Sequence, residues 1–307
     1  MTIVVFGSIN MDLTTYADRL PRLGETLFGT NYNLSAGGKG ANQAVGVARL
    51  GARAAFVGRV GEDMFGPPAR LALEHAGVDC SGMSSDPEHA TGLAVISVDQ
   101  AADNAIVVIS GANMALDDQD VARAAELFSD ASLLLLQLEV PLPANVALAE
   151  RGRQAGVRVV LDPAPAQALP NELLASIDLL TPNEVEAESL VGFPVSSMAA
   201  AQAAADQLRA RGAAGVIVKL GKQGAYCSAP EWTGQQPAFA VESVDTVAAG
   251  DAFNAGLAVA LAQGQALQQA VAWGAAAGAL ATTRRGAIPA MPARDEVLAL
   301  VGGHRPT

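Results

Sequence analysis

Residues 133–161 read LLLLQLEVPLPANVALAERGRQAGVRVVL, and this stretch decides the fold. Two predominantly aliphatic runs, Leu133 to Leu138 and Val157 to Leu161, interrupted only by Gln137 and Arg158, flank a helical pattern from Ala144 to Ala155. A strand that is apolar throughout has no polar face to show to water, so it belongs in a sheet covered on both sides. Strand, helix and strand in so short a span make a βαβ unit, whose two strands lie parallel.

The same signature extends outward in both directions. Ile3 to Phe6, Ala54 to Val57, Leu179 to Leu180 and Val216 to Leu220 read as further strands. Helical patterns at Asn42 to Leu50, Pro67 to Ala76, Asp117 to Phe128 and Ala199 to Arg211 alternate with them. The rhythm predicts an α/β chain, a three-layer α/β/α unit around a mostly parallel sheet with right-handed crossovers.

Two segments, 13–35 and 91–111, depart from it. Thr91 to Val98 alternates, and Ile106 to Ile109 reads as its return strand across Asp99 to Asn104. These antiparallel excursions predict a small sheet beside the main one, either a lid over a pocket or two surface hairpins. The chain then divides into a core (1–12, 36–90 and 112–307) and a β-sheet lid (13–35 and 91–111).

Composition narrows the function classes. Half of the 307 residues are hydrophobic, which excludes a disordered chain, and the formal net charge is −12. An acidic surface disfavours nucleic acid and anionic membranes as partners. Cys80 and Cys227 cannot build a disulfide framework, and Met1 to Gly7 carries no basic n-region before its apolar run, so a cytoplasmic location is expected. Residues 252–283 are free of charge, but Gly264 and the glutamines at 263, 265, 268 and 269 predict two buried helices rather than a membrane span.

Four motifs carry chemistry. In Asp245-Thr246-Val247-Ala248-Ala249-Gly250-Asp251, small residues lead into a helix start, whose free N–H groups form a local anion site. Asp251 is placed there either as a proton-accepting base or as an N-cap. Ser35-Ala36-Gly37-Gly38-Lys39-Gly40-Ala41-Asn42-Gln43 is a glycine loop feeding a helix, but neither a Walker A loop nor a dinucleotide fingerprint is present. The missing fingerprint removes an NAD-dependent oxidoreductase.

In Thr181-Pro182-Asn183-Glu184-Val185-Glu186, Thr181 and Glu184 fit a capping box, which leaves Asn183 and Glu186 on one helical face for hydrated Mg²⁺. Asn10 and Asp12 after the first strand, and Glu139 after Leu133 to Leu138, stand at carboxyl ends of strands, where α/β sheets collect ligands. Turns and solvated strand ends are the plain alternative.

Together these motifs resemble, in order and over nearly the whole chain, the ribokinase branch of the ribokinase/phosphofructokinase-B carbohydrate kinase family. Gly7-Ser8-Ile9-Asn10-Met11-Asp12 is similar to its opening motif, Gly37 to Ala44 to its first signature and Asp245 to Asp251 to its second. Gln137-Leu138-Glu139, Asp162 to Ala166 and Thr181 to Glu184 fall between them as in the family.

The resemblance implies ATP-dependent phosphorylation of a small sugar, D-ribose first, at its 5-hydroxyl. It implies Asp251 as base with an anion hole at Ala248, Ala249 and Gly250. Asn10, Asp12, Gly38, Lys39, Asn42, Glu139 and Asp251 would hold the sugar. Asn183, Lys219, Gly221, Gly224 and Gly250 would contact ATP, and Glu186 would act indirectly on Mg²⁺. A potassium site would use Asp245, Val247, Ala281, Arg284, Gly286 and Ala290, and a homodimer would form through the lid. Ala290 and Asp162 depart from residues common in the family (Ser and Asn), the second without evident effect on the chemistry. Deoxyribose, fructose, adenosine or pseudouridine are the alternative acceptors. A catalytically silent sugar- or nucleotide-binding regulator is the alternative class, and it should lack Asp251 or Gly250.

Overall fold

The computed structural model describes residues 2–101 and 103–303, so residues 1, 102 and 304–307 of the expected segments lie outside the described residues. In chain order it forms β1 (Thr2–Phe6), β2 (Asn10–Tyr16), β3 (Asn31–Gly37), α1 (Lys39–Arg49), β4 (Arg53–Val57), β5 (Arg59–Gly61) and α2 (Gly66–His75). Next come β6 (Ser84–Asp86), β7 (Gly92–Val98), β8 (Asn104–Ile109), α3 (Asp118–Glu126), β9 (Ala131–Leu136), α4 (Leu142–Gln154), β10 (Arg158–Leu161) and α5 (Asn171–Leu174). The remainder is β11 (Leu179–Leu180), α6 (Glu184–Val191), α7 (Met198–Ala210), β12 (Gly215–Lys219), β13 (Ala225–Ser228), β14 (Thr233–Gln236), α8 (Ala249–Ala262), α9 (Leu267–Ala281) and α10 (Arg294–Gly303).

The main sheet runs β14-β13-β12-β11-β10-β9-β1-β4. All neighbours from β12 to β4 pair parallel, while β13 and β14 add an antiparallel edge. Side chains of a strand alternate between faces, and the core divides accordingly. Ile3 and Val5 of β1 pack with α1, α2, α8, α9 and α10 on one face; Val4 and Phe6 pack with α3 to α7 on the other. This is the expected three-layer arrangement. The charge-free stretch after residue 252 forms α8 and α9, packed on each other, and no described helix is long and apolar enough to cross a membrane.

The two excursions form a separate four-stranded sheet, β3-β2-β7-β8. Each is an antiparallel pair as expected. They are joined, however, by a parallel pairing of β2 with β7, from Asn10 opposite Gly92 to Tyr16 opposite Val98. Both strands leave the core at one line and run outward together, which imposes the parallel sense. A parallel pair, β5 with β6, braces the approach to this line.

Candidate active site

The carboxyl ends of β1, β9, β10 and β12 and the first turns of α1 and α8 converge on one polar centre. Asp251 lies in the first turn of α8, and it is not an N-cap: Ala248 holds that position with no side-chain cap bond. Its carboxylate turns inward instead, accepting from Asn42 Nδ2 at 2.9 Å and Gln43 Nε2 at 3.1 Å. Burial raises the Asp251 pKa to about 6, partly opposed by the charge of Lys39.

Ala248 has φ 57°, the only non-glycine among the described residues with positive φ. A left-handed alanine costs about 1–2 kcal/mol, and such strain gathers at sites where backbone direction matters. Here it aims the start of α8: Ala249 N–H turns back to the Thr246 carbonyl at 3.3 Å. The N–H groups of Gly250 and Asp251 meet no acceptor among the described residues, as expected of a helix start.

A hydrogen-bonded chain extends behind the base. Gln43 Nε2 also donates to Asp162 Oδ2 at 3.1 Å, and Gln137 Nε2 donates to Gln43 Oε1 at 2.7 Å. Lys219 Nζ pairs with Asp162 Oδ1 at 3.0 Å, and a methyl added at Gly250 would stand 3.4 Å from that ammonium. Asp162, which the sequence left without a role, therefore links the base to the β12 lysine. Lys39 projects into the same field. Burial acts against its charge, yet the carboxylates of Asp251, Asp162, Glu139 and Glu186 hold its ammonium above the ordinary range.

The opposite wall comes from the small sheet. The Asp12 carboxylate lies over Gly37, where an added Cβ would fall 2.2 Å from Oδ2, so only glycine fits. Burial and the neighbouring Glu139 raise its pKa to about 6. Glu139 Oε2 accepts from Ser8 Oγ at 2.5 Å and from the Lys39 N–H at 3.0 Å, which fixes the glycine loop to β9. Gly38, with φ 90°, is the N-cap of α1, which begins at Lys39, earlier than the Asn42 read from sequence. Asn10 is buried, and its Oδ1 accepts from Asn113 Nδ2 at 2.7 Å. The structure thus brings residues 10, 12, 38, 39, 42, 139 and 251 to one place.

The capping box expected at Thr181 and Glu184 is displaced by two residues. Asn183 is the N-cap of α6, and Glu186 reciprocates by accepting from the Asn183 N–H at 2.8 Å and its Nδ2 at 2.9 Å. Thr181 Oγ1 points inward, donating to Asn254 Oδ1 at 2.8 Å, and the cap of α6 falls to Asn183 instead. Asn183 and Glu186, left over in the sequence reading, thus have a structural role. Burial raises the Glu186 pKa, with Lys219 opposing. Asn183 bridges to Lys219, whose loop turns through Gly221 and Gly224, so the residues expected to contact ATP are neighbours.

Asp245 ties two segments: Oδ1 accepts from Val247 N–H at 3.0 Å and Oδ2 from Gly286 N–H at 2.9 Å. Ala281 ends α9 and Ala290 is fully buried, whereas the Arg284 guanidinium pairs with Glu296. Sequence reasoning missed Ser8, Gln137, Asp162 and Asn113 as members of these networks; Gln43 stood inside a quoted motif without a role.

Residues 1–294 match the model of the pfkB family of carbohydrate kinases. A ribokinase of Haemophilus influenzae is 40% identical over 297 residues, covering 97% of both chains. A deoxyribokinase of Salmonella typhi is 39% identical over 254 residues, covering 82% of this chain and 83% of its own. The solved structure of an Arabidopsis thaliana ribokinase complexed with ribose and ATP superposes with a TM-score of 0.91 at 38% identity, over 97% of this chain and 98% of that one.

Proposed function

The chain belongs to the pfkB family of carbohydrate kinases, and from that premise we propose that it transfers the γ-phosphoryl group of ATP to the 5-hydroxyl of D-ribose. The observation that carries this reading is the Asp251 carboxylate beside the unpartnered N–H groups at the start of α8. With a pKa of about 6 it is ionised at neutral pH. Each oxygen accepts one amide N–H and keeps capacity for another, so the carboxylate can take the proton of the 5-hydroxyl. The alkoxide oxygen then bonds to the γ-phosphorus, the bond to the β-phosphate oxygen breaks, and ADP leaves with the electron pair. Gly250 and Asp251 N–H groups, with Ala248 and Ala249 shaping the turn, meet the charge on the moving phosphoryl group. Lys39 adds a cation between base and sugar wall.

Asn10, Asp12, Gly38, Asn42 and Glu139 hold the sugar hydroxyls in this reading, under the small sheet as a lid. Asn183, Lys219, Gly221, Gly224 and Gly250 receive ATP. Mg²⁺ would neutralise the phosphate oxygens; both Glu186 oxygens already accept from Asn183, which fits an indirect hold through water. The oxygen-only set of Asp245 with backbone carbonyls at Val247, Ala281, Arg284, Gly286 and Ala290 fits potassium, and Ala290 has only its carbonyl to offer. Potassium in place of choline should then raise activity; a flat response leaves Asp245 as a tie between loops. The buried, unpaired Cys80 and Cys227 support a reducing, cytoplasmic setting. The exposed aliphatic side chains of β8 support a homodimer through the small sheet.

The test is ADP release with ribose, deoxyribose, fructose, adenosine and pseudouridine at equal concentration. Ribose should give the highest kcat/KM. Faster turnover of another acceptor would overturn the substrate, and no ADP release with any of them would overturn the chemistry.

A further inference from the structure

Three of the four places where the chain passes between the core and the small sheet meet at one side chain, Asn113. It lies on the 3-10 turn Gly111–Ala115 that follows β8, and it is buried. Its Oδ1 accepts from the Ile9 N–H at 2.9 Å, and its Nδ2 donates to the Ile9 carbonyl at 3.1 Å and to Asn10 Oδ1 at 2.7 Å. Both amide hydrogens are thereby used, so Asn113 has no donor left to offer a ligand.

Asn10 differs. Its Oδ1 is taken by Asn113, while its Nδ2 has no partner among the described residues, in a side chain only 5% exposed. Without Asn113, the Asn10 amide can rotate by half a turn and exchange its donor for its acceptor. With Asn113, the carbonyl end is held back and the two N–H donors face outward. Gly92 begins β7 directly opposite Asn10 in register. A Cβ at Gly92 would fall 2.1 Å from Asn10 Oδ1 and 2.4 Å from Asn113 Nδ2, so the amide pair occupies the space a side chain would need.

We infer that Asn113 is a positioning residue for sugar recognition: it never touches the sugar, and it sets which end of the Asn10 amide meets a hydroxyl. The inference rests on the proposal that Asn10 is a sugar ligand. It assigns a role to a residue 103 positions away from its target.

A double-mutant cycle tests it on the full-length protein. Asn113→Ala should raise the ribose KM about 10-fold, the usual worth of one lost or misdirected hydrogen bond, while the ATP KM stays within about 2-fold. In an Asn10→Ala background the same substitution should change the ribose KM less than about 2-fold, because the group it orients is gone. A merely structural role would act equally in both backgrounds, and that result overturns the inference. Asn113→Ala also unpairs Ile9, so Gly92→Ala, which pushes a methyl into the amide pair with Asn113 in place, runs the same cycle. An unchanged ribose KM in both Asn113→Ala and Gly92→Ala likewise overturns it. If Asn10→Ala alone leaves the ribose KM unaltered, the reading of Asn10 as a sugar ligand falls, and this inference with it. A large Asn10 effect with additive partners removes only the role of Asn113.

Discussion

The two walls of the site are held in different ways. On the core side, Asp251 is gripped by Asn42 and Gln43, Gln43 is fixed by Gln137, and Asp162 joins Gln43 to Lys219. On the small-sheet side, Asp12 lies over Gly37 on a four-stranded sheet whose outer edge is exposed, and the root of that wall is tied to the core by the Asn10–Asn113 pair and by Met11 and Ala36, which pack into the core cluster. A buried, densely hydrogen-bonded network fixes geometry, and the reacting groups sit where geometry is fixed. A wall attached along one line can adapt to a guest, which suits ground-state grip. Both carboxylates have pKa values near 6, yet their tasks separate: one moves a proton, the other holds hydroxyls.

The largest expected effect falls on the core wall. Asp251→Asn keeps the shape and removes the proton acceptor, so kcat should fall about 10³-fold with the ribose KM little changed. Single-turnover and steady-state rates would measure it. If kcat stays within a few fold of the wild type, the base assignment is lost and the contrast between the walls goes with it.

The pH profile separates the walls next. Both Asp251 and Asp12 bind protons more tightly in the folded protein than a free aspartate does, so both are ionised at pH 7.5 and protonate as the pH falls through about 6. The free enzyme needs both carboxylates, one to accept the proton and one to accept from hydroxyls. Hence kcat/KM should fall toward pH 5 by roughly 10²-fold with a two-proton slope, while kcat at saturating ribose follows Asp251 alone with a slope of one. Asp12→Asn should raise the ribose KM about 10-fold and return the kcat/KM profile to a one-proton slope. A flat profile down to pH 5, or an unaltered slope in the Asp12 variant, breaks the division of labour.

The fold was legible where burial writes a continuous signal. Runs such as Leu133 to Leu136 are apolar because both sheet faces are covered, and even the two-residue β11 was readable between its flanking helices. The edge strands escaped for different reasons: β14, Thr233–Gln236, is polar, and β13, Ala225–Ser228, is only four residues of mixed character. The parallel seam between β2 and β7 lies in no local pattern; it follows from where the two strands leave the core.

In the site, residues inside dense motifs were visible, including Asn42 and Asp251. Asp162, Gln137 and Asn113 were not seen as working parts, because a lone polar residue gains its meaning from a partner 94 to 119 positions away in the networks described. The misplaced cap shows the same limit. Thr181 is as good a capping residue as Asn183, and the choice was made by Asn254, which draws the threonine hydroxyl inward.

The smallest effect on turnover, and the sharpest on assembly, is expected at the free edge of the small sheet. Ile106, Val107, Val108 and Ile109 of β8 are 54%, 62%, 55% and 45% exposed, on both faces of the strand. A run of exposed aliphatics on an edge strand invites pairing unless another surface covers it. With a second copy as the cover, the wild type should have twice the 31.1 kDa chain mass by light scattering. Val107→Lys, which sets like charges face to face across that contact, should shift it to one chain mass. Because residue 107 lies opposite Val95 and so two strands across from Leu13, the neighbour of Asp12, on the outer edge of the small sheet, kcat should hardly move, and any loss should appear in the ribose KM. A wild type that is monomeric at micromolar concentration, or a variant that stays dimeric, would place the cover of β8 elsewhere and leave the small sheet to act on the sugar within a single chain.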